Sequence, residues 1–149
     1  MNEFYDAFQR LDAEAMGKLY HPEAVFNDPA FNQLNAKQAA AMWKMLIERS
    51  KGDLTIEHHS FIGDEQLAEC TWEAVYTFSK TKNRVHNIIH SSVELKDGLI
   101  YRHTDTFDFW RWSKMALGLP GTLLGWTPFL RKKVQTMAMK SLHDYMQKN

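Results

Sequence analysis

The sequence is short of several features, and each shortage excludes a class of protein. Cys70 is the only cysteine among 149 residues, so the chain forms no internal disulfide and no cysteine-based metal site. Lysine and arginine number 18, as do aspartate and glutamate, so bulk charge does not indicate a nucleic-acid partner. No apolar run has the length of a membrane span. The N-terminus has neither a basic nor an apolar leader segment, so we expect no signal peptide. The single cysteine leads us to expect a reducing, cytoplasmic location.

The first third of the chain has helical spacing of its apolar residues. Residues 2–20 predict helix, which divides into two short helices if Asp12 caps the second one. Residues 24–26 predict a short strand. Asn35, with Gln38 three residues later, predicts a capping box at the start of another helix.

From Leu54 onward the apolar residues alternate with period two, as in strands with one buried face. Short connections that carry turn residues, such as Asp97-Gly98, favour an antiparallel meander. Such a sheet needs a cover on one face, and the N-terminal helices supply it, which predicts an α+β fold. The predicted strands cover residues 54–62, 66–79, 84–95 and 99–109.

The last forty residues form a separate feature, and we expect a domain over residues 1–109 with a helical extension over 110–149 packed on it. Glycines break this extension, and Thr127-Pro128 is a good start for a final helix. Its basic side, at residues 131–133 and 140, is a solvated face or a membrane-surface contact. The apolar loop must be buried by its own domain, a partner chain or a ligand, and contains Leu123, Leu124 and Trp126.

The stretch Gly98–Trp112, GLIYRHTDTFDFWRW, places polar groups among aromatic ones. Strict alternation puts six residues on one face, and Asp108 on the other face is interpreted as structural. His103 and Asp105 are neighbours on the first face and form either the lining of a pocket or a structural polar pair. In an apolar pocket the carboxylate would gain basicity. The six residues that the alternation places on the first face are Leu99, Tyr101, His103, Asp105, Phe107 and Phe109.

Two segments, FYDAFQRLDAEAMGKLYHPEAVFNDP and DGLIYRHTDTFD, resemble the SnoaL-like and ketosteroid-isomerase-like branch of the nuclear transport factor 2-like superfamily. The resemblance covers residues 3–109. It implies a cone, or cystatin-like roll, in which a curved antiparallel sheet wraps around the N-terminal helices and encloses an apolar pocket. It also implies a homodimer, which we expect through the outer face of the sheet.

The resemblance also implies roles for individual residues. Tyr5 stands where ketosteroid isomerases have an oxyanion-binding tyrosine, and Asp28 stands where they have the base. His90 replaces their oxyanion-binding aspartate. Asp105 matches the late-strand base of SnoaL-type cyclases. It also matches the last aspartate of limonene epoxide hydrolases, but the arginine of their Asp–Arg–Asp set is missing, since Thr71 occupies its place.

The sequence therefore predicts a protein that binds a small, largely apolar, oxygenated molecule. If it is an enzyme, it is an isomerase, cyclase or hydrolase that works by proton transfer without an organic cofactor or a metal. The alternative is a non-catalytic binding or oligomerisation module. No metal site is expected, because His58 and His59 point to opposite faces of one strand. The expected catalytic residues are Asp105, Asp28, His103, His90 and Tyr5. The expected substrate-binding residues are Trp43, Phe26, Trp72, Phe107 and Tyr101.

Overall fold

Helices at both ends of the chain flank a block of strands in the computed structural model, which describes residues 1–59 and 61–149. The helices are α1 (Asn2–Gln9), α2 (Ala13–Lys18), α3 (Ala36–Ser50), α4 (Phe109–Leu117), α5 (Leu119–Leu124) and α6 (Pro128–Lys148). The strands are β1 (Tyr20–Asn27), β2 (Leu34–Asn35), β3 (Leu54–His58), β4 (Ile62–Gly63), β5 (Leu67–Thr77), β6 (Arg84–Lys96) and β7 (Leu99–Thr106).

The strands form one curved sheet in the order β2-β1-β7-β6-β5-β3, with β4 beside β5. Strands β3, β5, β6 and β7 pair antiparallel, which confirms the predicted meander and the α+β class. Strand β1 pairs parallel to β7. The strand predicted over 54–62 is shorter than expected, since β3 ends at His58; residue 60 lies outside the described residues.

The predicted caps set the helix boundaries. The Asp12 carboxylate accepts the backbone N–H of Ala15 at 3.0 Å, which separates α2 from α1. Asn35 and Gln38 form the predicted capping box at the start of α3, with both hydrogen bonds at 2.9 Å. Strand β1 begins earlier than predicted, at Tyr20, because this residue pairs with β7.

A bulge in β7 alters which residues face the core. Glu94 pairs with Arg102 and Leu95 pairs with Ile100, so Tyr101 is an extra residue on its strand. Ile100 is buried, whereas the Tyr101 ring lies under the Lys96 ammonium, 4.9 Å from the ring centroid. The prediction that Tyr101 shares the inner face with His103 is therefore wrong. Beyond the bulge the predicted alternation holds as far as Thr106, where β7 ends. The strand predicted over 99–109 is therefore too long, because Asp108 caps a helix that begins at Phe109.

The C-terminal helices pack against the rest of the chain on two sides. Helix α4 covers β6 with a small apolar cluster that includes Phe109 and Trp112, and Asp108 caps that helix. Helix α6 lies along α3 and buries Leu142 there. Whether these helices form an extension separate from the domain at 1–109 stays a prediction. No helix among the described residues is long and apolar enough to cross a membrane.

The apolar loop does not plug the cone. Leu123, Leu124 and Trp126 stay exposed to solvent, and helical side chains fill the inner face of the sheet.

The capping box of α3 gives the first testable prediction. Asn35→Ala removes the acceptor for the Gln38 N–H and should lower the free energy of unfolding by about 1 kcal/mol, measured by urea denaturation. Asn35→Ser is the matched control, because serine caps helices about as well as asparagine. Equal losses in the two variants would contradict the capping role.

Candidate functional site

A carboxylate and an imidazole meet at the centre of the cone. His103 and Asp105 lie two residues apart on β7, so both face inward, as predicted. The His103 Nε2 atom is 3.0 Å from Asp105 Oδ1. Exposure is 0% for His103 and 3% for Asp105. A buried charge of this kind is costly unless hydrogen bonds surround it.

On the imidazole side, hydrogen bonds continue to two aromatic residues. His103 Nδ1 lies 2.8 Å from the Tyr20 hydroxyl, and the Trp43 indole N–H donates to the same hydroxyl at 2.9 Å. With Asp105 ionised, His103 carries its proton on Nε2 and donates it to the carboxylate. Its Nδ1 then accepts from Tyr20. This branch therefore runs in one direction, from Trp43 towards Asp105.

On the other side, Ser91 connects Asp105 to two more aromatic residues. The Ser91 hydroxyl donates to Asp105 Oδ1, the oxygen that His103 also contacts. Ser91 Oγ in turn accepts from the Tyr5 hydroxyl at 2.6 Å and from the Trp72 indole at 2.9 Å. None of the hydrogen bonds among the described residues reaches Asp105 Oδ2. We call Trp43, Tyr20, His103, Asp105, Ser91, Tyr5 and Trp72 the central network.

Aromatic rings surround the central network and exclude water from it. The rings of Phe4 and Phe26 stand edge-on to the His103 ring, with centroids at 5.4 and 5.0 Å. Burial first, and then the charge of Asp105, raise the pKa of Tyr5 well above its usual 10. Both effects also raise the pKa of Tyr20, against the hydrogen bond from Trp43. Both phenols therefore keep their protons at neutral pH.

Asp28 lies beside this network, at the end of β1. Asn27, the last residue of β1, pairs with Thr104, so the residues that follow, Asp28 and Asp105, lie close together, and the Asp105 charge acts on Asp28. Its Oδ1 atom accepts the backbone N–H groups of Ala30 at 2.7 Å and Phe31 at 2.5 Å. Burial raises the pKa of Asp28 from 3.8 to about 7, and the charge of Asp105 adds to this, against the two backbone hydrogen bonds.

Sequence reasoning missed two polar residues on the inner face: Tyr76, which is close enough to respond to the charge of Asp28, and Asn87, which lies near Tyr76 on the neighbouring strand. The Tyr76 hydroxyl accepts the Trp112 indole N–H at 2.9 Å, and burial, with a smaller effect of the Asp28 charge, raises the pKa of Tyr76. Asn87 is only 6% exposed, and its side chain makes no hydrogen bond within the described part of the chain. We call Asp28, Tyr76 and Asn87 the Asp28 cluster. The sequence did contain a signal for Asn87, because it is a polar residue at a buried position of the alternating strand β6.

His90 does not belong to the site. It pairs with Thr106, is exposed, and its Nδ1 lies 3.0 Å from the Thr71 hydroxyl on the outer face. Its neighbour Ser91 pairs with Asp105 and faces inward instead. The predicted placement of His90 in the pocket is therefore wrong by one residue, because adjacent strand residues point to opposite faces.

The other predicted residues are distributed over the interior. Trp43 and Trp72 are buried within the central network and Phe26 is buried beside it, as expected for pocket walls or core. Phe107 is half-buried between the central core and the Trp112 cluster. Tyr5 is fully buried, but its hydroxyl donates to Ser91. The catalytic and substrate-binding roles assigned to all of these residues stay predictions.

Two clefts lie at the surface, away from the central network. One cleft of about 510 Å³ is bounded by α1 and β3, and another of about 190 Å³ lies beside Met1 and Phe61. Neither is lined by a residue of the central network or of the Asp28 cluster. Among residues 1–59 and 61–149, no three His, Cys, Asp or Glu side chains are grouped to hold a metal ion.

The Ser91 junction gives a prediction for stability. Ser91→Ala leaves the Tyr5 hydroxyl and the Trp72 indole without their buried acceptor, and should lower the free energy of unfolding by about 3 kcal/mol. Ser92→Ala, on the outer face next to it, should change it by less than about 0.5 kcal/mol. Urea denaturation at neutral pH measures both variants. Similar losses of stability in the two would contradict the role of Ser91 as a buried acceptor.

Asp28 gives a prediction for pH dependence. Its pKa rises to about 7 on folding, so between about pH 4 and pH 7 the folded chain binds a proton that the unfolded chain releases. Stability therefore falls as pH rises through this window, by up to about 1.4 kcal/mol per pH unit. Asp28→Asn removes this titration and still accepts the two backbone N–H groups. A pH-independent difference between the two proteins would contradict the raised pKa.

Comparisons with known proteins agree with this architecture. A family model described as a SnoaL-like domain matches residues 1–103. A search among curated proteins found no match.

Several solved structures share the fold at low sequence identity. TerC, crystallised with polyporic acid, is 17% identical over 78% of this chain and 94% of TerC, with a TM-score of 0.63. An epoxide hydrolase of the LEH-like type from M. tuberculosis is 20% identical over 83% of this chain and 91% of its own, with a TM-score of 0.60. An NTF2-like protein of unknown function from Cytophaga hutchinsonii is 15% identical over 72% and 85%, with a TM-score of 0.56.

Proposed function

Because this chain belongs to the SnoaL-like domain family, we propose that it binds a small, largely apolar, oxygenated molecule in the cone and moves a proton on it, with Asp28 as general base. The observation that supports this proposal most directly is that Asp28 is an inward-facing carboxyl with a pKa of about 7. A base is most effective when its pKa lies near the working pH. Only Oδ1 of this carboxyl accepts hydrogen bonds from the described residues, which leaves Oδ2 for a ligand.

Asp105 acts on the reaction through Asp28 in this proposal. Its own Oδ1 is held by Ser91 and His103, so it keeps a fixed position. The negative charge of Asp105 disfavours a second charge on Asp28 and makes Asp28 more basic. In the sequence, Asp105 itself matches the late-strand base of SnoaL-type cyclases. Its burial and its hydrogen bonds support a positioning role instead.

The proton transfer needs a donor for the ligand oxygen, and the Asp28 cluster offers two. When Asp28 takes a proton from a carbon beside a carbonyl, the electron pair moves to the carbonyl oxygen and forms an enolate. The Asn87 amide and the Tyr76 hydroxyl can donate to that oxygen. Tyr5 cannot do so while its proton is given to Ser91. Return of the proton to another carbon gives isomerisation, and attack of the enolate on a second carbonyl gives cyclisation.

The structural neighbours support the class of ligand. TerC was crystallised with polyporic acid, and the M. tuberculosis protein is an epoxide hydrolase, so the same fold accepts oxygenated organic molecules. The expected homodimer through the outer face of the sheet belongs to the same proposal. Ile88, exposed on that face, supports it.

One observation favours a second function, a binding module without turnover. Aromatic side chains fill the centre of the cone, and the central network satisfies its own donors. A ligand in such a protein would occupy only the Asp28 cluster. The two functions differ in whether a bound ketone exchanges its α-protons.

The test is hydrogen exchange on a bicyclic ketone. In D₂O, the wild-type protein should speed deuterium incorporation next to the carbonyl of 2-tetralone, followed by NMR. The rate should rise as pH passes through about 7, because only ionised Asp28 accepts a proton. Asp28→Asn should slow the exchange by at least about a hundredfold, the usual contribution of a general base.

The matched control is Asp144→Asn, which changes an exposed carboxylate paired with Lys140 and should leave exchange unchanged. Binding of the ketone without exchange would support the binding module. Exchange that survives in Asp28→Asn, or an Asp28 carboxyl that titrates near 4 by NMR, would overturn the assignment of the base.

A further inference from the structure

The segment from α5 to the start of α6 exposes large apolar side chains to solvent. The exposed fractions are 70% for Leu119, 67% for Trp126 and 70% for Phe129. Leu123 is 61% exposed, and its spacing of four residues from Leu119 places both on one side of α5. Monomeric soluble proteins seldom leave such groups together in water without a partner.

This segment is held in a defined shape by its own hydrogen bonds. The Trp126 indole N–H donates to the Leu123 carbonyl at 3.0 Å. The Thr127 hydroxyl caps α6 by accepting the Leu130 N–H at 3.3 Å. The Trp110 indole on α4 donates to the Thr122 carbonyl at 3.1 Å. The indole rings are thus presented to solvent by a structured turn, with their polar atoms already satisfied.

Along this part of the chain the charged residues have one sign. From Phe109 to His143 the chain contains six of its 18 lysines and arginines and none of its 18 aspartates and glutamates. Residues 131–133 are basic and exposed, and within the described chain no acidic group forms a salt bridge with them or with Lys114. The Lys114 ammonium lies 3.9 Å from the centroid of the Trp110 ring. The total charge is zero because a basic segment over residues 109–143 is balanced by an excess of acidic residues in the rest of the chain.

These charges discriminate between possible partners. A two-fold contact with a second copy would bring the same patch against itself, and two basic segments would face each other without acidic groups. An anionic lipid surface offers both complements, phosphates for the lysines and arginines and an apolar layer for the leucines and aromatic rings. Tryptophan also favours the boundary between lipid and water.

We propose that the segment Leu119–Lys133 docks this protein on the surface of an anionic lipid bilayer. The side chains of Leu119, Leu123, Trp126 and Phe129 enter the boundary between headgroups and acyl chains. Residues 131–133 contact the lipid phosphates, and Lys114 adds to the positive field. The contact is interfacial, and no part of the segment crosses the membrane.

Sedimentation of the full chain with vesicles tests this docking. The protein should bind vesicles of equal parts phosphatidylcholine and phosphatidylglycerol, bind phosphatidylcholine alone much more weakly, and dissociate as salt is raised. The double variant Leu123→Ala/Trp126→Ala should weaken binding to the mixed vesicles by at least about tenfold. Replacement of residues 131–133 by glutamine should weaken it by about a hundredfold at low salt.

Matched controls lie elsewhere on the surface. Ile62→Ala changes an equally exposed apolar residue on β4, and Lys80→Gln/Lys82→Gln removes two exposed charges from the β5–β6 turn. Both variants should bind the mixed vesicles as the wild type does. All changed residues are exposed, and circular dichroism verifies that each variant folds.

Three outcomes would overturn the proposal. The wild type could fail to sediment with mixed vesicles, or it could bind neutral vesicles equally well. It could also form an oligomer, measured by light scattering without lipid, that Leu123→Ala/Trp126→Ala dissolves, which would make the segment a protein interface.

Discussion

The carboxylate of Asp105 is the acceptor on which the interior of this protein depends. Two branches of hydrogen bonds end at its Oδ1 atom, one through His103 and one through Ser91. The branches begin on α1, α3 and β5, and one passes through Tyr20 on β1, so four elements besides β6 and β7 are fixed relative to one charge. An apolar core of equal volume would tolerate small changes in packing more easily, because here every buried donor must keep its hydrogen-bond partner.

The same hydrogen bonds determine which polar groups are free to contact a ligand. The donors of the central network are used internally, so they have no proton to offer to a ligand in this arrangement. Asp28 lies one strand away, receives the field of Asp105, and keeps an oxygen that none of the described residues occupies. The buried charge thus raises the basicity of its neighbour, as expected for two carboxyls that share a low-dielectric site.

Sequence patterns predicted the elements well and the pairings between them less well. The alternation in β7 and the turn residues identified the meander and the inward His103–Asp105 pair. Two errors came from register: the bulge turned Tyr101 away, and Ser91 rather than His90 came opposite Asp105. A one-residue change in register reverses the face of a side chain, and the pairing partner of a strand is not encoded in its own alternation. Asn87 and Tyr76 were missed because their roles depend on Asp28, which is distant in sequence.

The two proposals meet in helix α4. Its inner side places Trp112 on the Tyr76 hydroxyl, next to Asp28, and its outer side carries Trp110 beside the exposed apolar segment. A bilayer that held this segment would therefore lie at the end of the cone where Asp28 titrates. Apolar oxygenated molecules concentrate in bilayers, because burial of each CH₂ group favours the lipid by about 0.8 kcal/mol. Docking would thus bring the end of the cone that contains Asp28, the proposed base, to the phase in which such a ligand accumulates.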